Sequence, residues 1–229
     1  MFLNTNKQSN VSETIMNVFA IVPVKVLGLS KRRLSSTLSP EKRGELTIAM
    51  LEDVLIALKG STIQETLVVS SDTTVREVAE KFGFFYLTQK HSGLNPALKE
   101  AIAWCIQKGA DAVLILPADI PLVSSNDIDK LVELGSEKPT VVLSPSLNGG
   151  TNALLLNPPD LIQVSFGKNS FFTHIKEAID IVKPVKFHAS REIMMDIDSK
   201  DDLIHLLEVK DIASKHVFKQ FRLLKKAVN

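Results

Sequence analysis

The sequence predicts one α/β domain of three layers, αβα, with helices on both faces of a mostly parallel mixed sheet. Two observations carry this. Apolar, β-rich runs alternate with helix-period segments almost to the end of the chain, as strands and helices do when they take turns. No repeat, linker or compositional shift divides the 229 residues, a length ordinary for one such sheet. A chain of that size buries roughly 70% of its unfolded surface.

A first strand is expected over Val18–Val24, followed by a loop rich in Lys and Arg. Ser39 and Pro40 then form an N-cap and first helical position, and Leu46, Met50, Val54 and Leu58 recur at helical spacing. TLVVS reads as a strand ending at Ser70, Thr74–Lys81 as a helix and FFYLT as a strand. Asn95 opens a helix through Trp104, and DAVLILPAD holds another buried strand. Ser124 and Asp127 pair to cap a helix that stops at Gly135. PTVVLSP and TNALLLN are strands, Ser170–Ile179 a helix and PVKFH a short strand. In IMMDIDSKDDL one strand is expected to end and a helix to begin, with Ser199 as cap and Asp202 in the first turn.

The domain is thus expected over residues 18–210. Residues 1–17 form a polar, flexible extension and residues 211–229 a basic helix. That helix sets Lys215, Lys219, Arg222, Lys225 and Lys226 against one acid, Asp211, and its apolar residues give it a partial face. It reads as a solvated helix packed on the body or across a dimer.

Composition removes several classes of function. A formal net charge of +1 gives no global field toward nucleic acid or an acidic membrane. No apolar run approaches the roughly 20 residues of a membrane span, and the N-terminus lacks the apolar stretch of a signal peptide. The lone Cys105, in AIAWCIQ, has no partner for a disulfide within the chain and suits a cytoplasmic protein. It reads as a packed thiol, not a nucleophile.

Common motifs are missing too. No GxGxxG follows a strand, FGKNS lacks the upstream glycine of a P-loop, and no GxSxG elbow is present. DIDSKDDL lacks the glycine and terminal Glu of a calcium loop, and the five His residues are scattered.

What remains is polar chemistry beyond strand ends, where open α/β sheets bind ligands. KVLGLSKRRL offers Lys25, Lys31, Arg32 and Arg33 to phosphate oxygens, or else is a solvated loop. In LILPADIPL, Asp119 stands between Pro117 and Pro121, whose rings restrict the backbone around a candidate metal ligand. NGGTNALLL lets backbone approach an anion at Gly149 and Gly150 beside Thr151 and Asn152, and is equally a hairpin turn. SFGKNSF brings Gly167, Lys168, Asn169 and Ser170 to a helix N-terminus, a natural anion cradle. Asp196 and Asp198 lie at an expected strand end. Because they alternate along it, only one is expected beside a metal, and with Asp119 one suffices for Mg²⁺.

PVKVLGLSKRRL, SGLNPAL, LPADIPL, GGTNALLL, SFGKNSF with His174, and DIDSKDDL occur in that order. Together they resemble the 2-phospho-L-lactate guanylyltransferase family and its phosphoenolpyruvate-using relatives, over about Val18 to Leu207. The resemblance implies a fold like that of nucleotide-diphospho-sugar transferases (Rossmann-like), usually as a homodimer. It also implies condensation of GTP with a phosphorylated three-carbon acid in coenzyme F-420 biosynthesis. Asp119 with Asp196 or Asp198 then look like Mg²⁺ ligands, and Thr151, Gly167 and Ser170 like contacts to the acid's phosphate. Lys25, Lys31 and Arg33 would face the triphosphate, and Ser71, Gly93 and Asn95 the guanine or ribose. From the residues alone, a glycosyltransferase using DID as its metal motif and a nucleotide-binding regulator stay open. So do the identity of the acid and, without the resemblance, that of the base.

Overall fold

β1 (Val18–Pro23) is an interior strand, and its alternation shows why both faces of the sheet are covered. Val18, Ala20 and Val22 belong to one apolar cluster, and Phe19 and Ile21 to a second on the opposite face. The computed structural model describes residues 16–182, 184–208, 215–217 and 219. Most of the expected N-terminal extension and of the basic C-terminal helix therefore lies outside the described residues.

The other strands are β2 (Glu65–Ser70), β3 (Phe85–Thr88), β4 (Ala112–Ile115), β5 (Thr140–Pro145), β6 (Thr151–Asn157) and β7 (Lys186–Phe187). They form one seven-stranded sheet in the order β3-β2-β1-β4-β6-β5-β7. Parallel pairing of β1 sets Ile21 beside both Leu67 and Ile115. β6 is antiparallel to β4 and to β5, and so runs against all the others. That reversal brings the first residue of β6, Thr151, to the same edge as the carboxyl ends of β1, β2 and β4.

Helices α1 (Pro40–Lys59), α2 (Thr73–Phe82) and α4 (Ser125–Leu134) pack over the first cluster. Helices α3 (Leu94–Gln107) and α5 (Ser170–Ile179) pack over the second. Their starts obey local chemistry. The Ser39 side chain accepts from Lys42 N with Pro40 following, and Ser124 and Asp127 form a reciprocal capping box. Leu46, Met50, Val54 and Leu58 are all buried. Each apolar side chain moved from water into such a core contributes roughly 1.5–3 kcal/mol. The Cys105 thiol is buried and its pKa pushed up to about 12, as suits a packed thiol.

One expected element differs. The stretch leading to Asp198 is not a strand. Ser190 accepts a hydrogen bond from Ile193 N and starts a single helical turn, α6 (Arg191–Met194), after which Met195–Asp198 run without ladder pairing. Ile197 N instead donates to Asp119 O at 2.9 Å. Met195 and Ile197 join a third apolar cluster with Leu34, Leu46, Met50, Leu122, Leu203, Leu206 and Val217. α7 (Lys200–Glu208) follows, with Asp202 accepting from Ser199 N and Oγ as expected. Of the basic segment, His216 N and Val217 N donate to the buried Asp53 carboxylate on α1 at 2.8 and 2.9 Å. This part packs on the body.

Candidate active site

The loop after β1 is shaped by two 3-10 turns, Leu27–Leu29 and Arg32–Leu34, with Lys31 between them in the left-handed region at φ 50°. Leu34 plugs the third cluster. Arg43 on α1 donates to Ser30 O and Leu38 O and so fastens both ends of the loop. Lys31 is thereby turned inward. Its Nζ stands 2.8 Å from Asp119 Oδ2 and 2.7 Å from Asp198 Oδ1. Burial opposes the ammonium charge, but the two carboxylates outweigh it and the Lys31 pKa is raised. Burial likewise opposes charge on Asp198, and Lys31, followed by Arg33 and Lys25, holds its pKa below the usual value. Arg33 is exposed and reaches Asp198 only at 3.9 Å.

Asp119 sits just beyond β4, held by the buried Ala118 and Ile120 on either side and by the Ile197 bond to its carbonyl. Asp196 and Asp198 flank it together, which corrects the expectation that alternation leaves only one there. Residues two apart on an extended chain point to the same side. Met195 and Ile197 therefore take the core side, and both aspartates the open one. Asp196 differs from its neighbour. Burial and the nearby Asp119 carboxylate raise its pKa, opposed by an Asn152 Nδ2 contact at 3.4 Å.

Beside this cluster lies a cavity of about 300 Å³, lined by Lys25, Lys31, Asp119 and Asp198 at one end and by Gln89, Gly93 and Leu94 at the other. Gly93 has φ +100°, a conformation that excludes side chains, and turns the chain into α3. Ser71 and Asn95 do not line it. Ser71 is exposed before α2. Asn95 is committed elsewhere, its amide donating to Phe166 O at 3.0 Å while Phe166 N donates to its carbonyl at 2.8 Å.

The third group is formed by the hairpin between β5 and β6 and the start of α5. The hairpin is closed by Ser146 N to Gly150 O and by Gly150 N to Ser146 Oγ. A side chain at Gly150 would come within 2.9 Å of that hydroxyl, so this approach requires glycine. Thr151 and Ser170 are both buried, 3.1 Å apart through their hydroxyls, next to Gly167 at φ +146°. The structure thus brings Thr151, Gly167 and Ser170 together, and adds a residue not singled out for any role from the sequence: His174, 3.0 Å from Thr151 Oγ1. Its pKa is lowered to about 4 by burial, so the ring is neutral.

Comparison with known proteins identifies the family. A family model described as "Guanylyl transferase CofC like" matches residues 18–227. The chain belongs to this family. It is 42% identical over 192 residues to a phosphoenolpyruvate guanylyltransferase of Rubrobacter xylanophilus, covering 83% of this chain and 94% of that one. It is 38% identical over 189 residues to a 2-phospho-L-lactate guanylyltransferase of Methanothermobacter thermautotrophicus, covering 82% and 83%. In structure it is similar to a Desulfovibrio desulfuricans protein assigned to the nucleotide-diphospho-sugar transferases. The TM-score is 0.77 at 16% identity, over 93% of this chain and 97% of that one. That likeness establishes the shared fold. Among the described residues of this guanylyl transferase, no helix is long and apolar enough to cross a membrane.

Whether a divalent ion fits can be judged from the donors. Among the described residues no group of three or more His, Cys, Asp or Glu is arranged as a ready-made cage. Asp119 and Asp196, however, are carboxylates close enough to raise the pKa of Asp196, with the Lys31 ammonium given to Asp119 and Asp198. Such a sparse oxygen set suits Mg²⁺, which takes one or two carboxylates and completes its shell with water and phosphate.

Proposed function

We propose that this guanylyl transferase joins GTP to a phosphorylated three-carbon acid, of the class of phosphoenolpyruvate, 2-phospho-L-lactate and 3-phosphoglycerate. The observation that carries it is the meeting of two unlike sites on one sheet edge: the Lys31 clamp beside an open cavity, and the neutral cradle of Thr151, Gly167 and Ser170. The cavity is large enough for a nucleotide base; Lys25 and Lys31, which line it, would face the triphosphate, as would the exposed Arg33 beyond them. The relatives named for phosphoenolpyruvate and 2-phospho-L-lactate support the acid class.

The chemistry needs no general base. A phosphate oxygen of the acid, already anionic, attacks the α-phosphorus of GTP. One P–O bond forms, the α–β bridging bond breaks, and pyrophosphate departs with the electron pair. The cradle holds the attacking phosphate, and Lys31 and Lys25 offset the charge of the triphosphate. Mg²⁺, which Asp119 with Asp196 or Asp198 would hold, supplies further neutralisation of the phosphate oxygens when bound. The single buried thiol suits work in the cytoplasm, and the family resemblance suggests a homodimer, which sedimentation would check.

Pyrophosphate release, measured for four nucleoside triphosphates against the three acids, tests the whole scheme. Release is expected with GTP and one or more of these acids. Asp119→Ala is expected to lose at least ~3 kcal/mol of transition-state stabilisation, about a hundredfold or more in rate. Wild-type turnover in that variant would remove Asp119 from the site.

A further inference from the structure

His174 is a buried titratable group that the chemistry above does not use. It lies within α5, fully buried, and its ring meets Phe166 edge-on at 5.0 Å. Two polar contacts define its state. Ser165 N donates to Nε2 at 2.9 Å, and since a backbone N–H only donates, Nε2 must hold a lone pair. In a neutral ring the proton is then on Nδ1, which faces Thr151 Oγ1 at 3.0 Å and donates to it.

Thr151 Oγ1 also accepts from Ser170 Oγ at 3.1 Å. A hydroxyl has two lone pairs and one proton. With both lone pairs filled by His174 and Ser170, Thr151 can act further only as a donor. We infer that His174 is a positioning residue that fixes the tautomer-dependent network so that the Thr151 hydroxyl presents its proton to a phosphate oxygen of the acid substrate. The inference rests on the reading above that Thr151 lies at that phosphate. It extends the role of Asn95 as well, because Asn95 clamps both backbone groups of Phe166, the residue packed against the imidazole.

A cationic imidazole would be the obvious alternative for binding phosphate. It fails here on two counts: the second ring proton would collide with the Ser165 N–H, and burial holds the ring neutral. A neutral network also avoids desolvating a cation in the empty enzyme.

The test compares amide replacements in the full chain. Asn at 174 places an N–H donor near the Nδ1 position and keeps the bond to Thr151; Gln extends past it toward the Nε2 position. His174→Asn is expected to keep the KM for the acid within about threefold, whereas His174→Gln and His174→Phe raise it about tenfold, the loss of one hydrogen bond. The KM for GTP is expected to stay unchanged in all three. Nitrogen-15 NMR of the histidine-labelled wild type at pH 7 is expected to show Nδ1 protonated and Nε2 bare. A protonated Nε2, or acid and GTP KM values rising together, would overturn the inference. Thr151→Val separates the two levels. An unchanged acid KM there would remove the underlying phosphate reading, whatever the tautomer.

Discussion

The two ends of the candidate site are built by opposite means. At the Asp119 end full charges face one another. Lys31 bridges Asp119 and Asp198, whose side chains are 31% and 37% exposed, with Arg33 and Lys25 beyond. At the Thr151 end the groups are neutral and buried, and their polar contacts are hydrogen bonds among hydroxyl, imidazole and backbone. Charge is tolerated where water and counter-charge are near; deep in the hairpin and helix junction only dipoles are affordable. The first end therefore should respond to loss of charge, and the second to loss of geometry.

Removing the bridging cation should have the largest effect on this contrast after loss of Asp119 itself. Lys31→Met leaves two carboxylates facing each other without compensation. We expect a destabilisation of about 2 kcal/mol, below the roughly 3–5 of a buried broken pair because both acids are partly solvated. Pyrophosphate release should fall about a hundredfold. Urea unfolding and a turnover assay read the two effects. A variant as active as wild type would break the view that this end works through charge.

The second test turns on pH. His174 is held near pKa 4 in the folded state, against about 6.5 for a free imidazole. Between those values the unfolded chain binds more protons, so stability falls as the pH drops from about 6.5 toward 4 and is flat above. The whole interval is worth up to about 3 kcal/mol. Asp196, whose pKa is raised, titrates with the opposite sign, so the quantity to measure is the difference between wild type and His174→Asn. Equal slopes for the two proteins would show that the ring is not held neutral.

The smallest effect is expected at Asn95. Asn95→Ala removes both bonds to Phe166, leaving that backbone unanchored. The KM for the acid should rise about tenfold, for roughly 1–1.5 kcal/mol, with kcat for saturating substrates close to wild type. A rise in the GTP KM alone would instead return Asn95 to the nucleotide side, where the family resemblance would put it.

Much of this was readable before folding. The caps at Ser39 and Ser124 and the helical spacing of Leu46 to Leu58 are local and need no partner, so the elements emerge where expected. Asp119 was recognisable because two prolines mark it at the end of an apolar run. The DID segment shows where local signals fail. Its alternation looks like a strand, yet its N–H at Ile197 is spent on Asp119 O and its apolar residues on a cluster gathered from Leu34 to Val217. Both aspartates therefore reach the site.

The contacts of His174 with Thr151 and of Asn95 with Phe166 were beyond the sequence for the same reason. These pairs are 23 and 71 residues apart, and no spacing rule links them. The sequence by itself determined the layers, the strand edge that carries the candidate site and the family, because periodicity, caps and motifs are properties of neighbours in the chain. Only the tertiary structure decided that β6 runs backward. That reversal set Thr151 among the carboxyl ends of the other strands and handed its hydroxyl to an imidazole on α5.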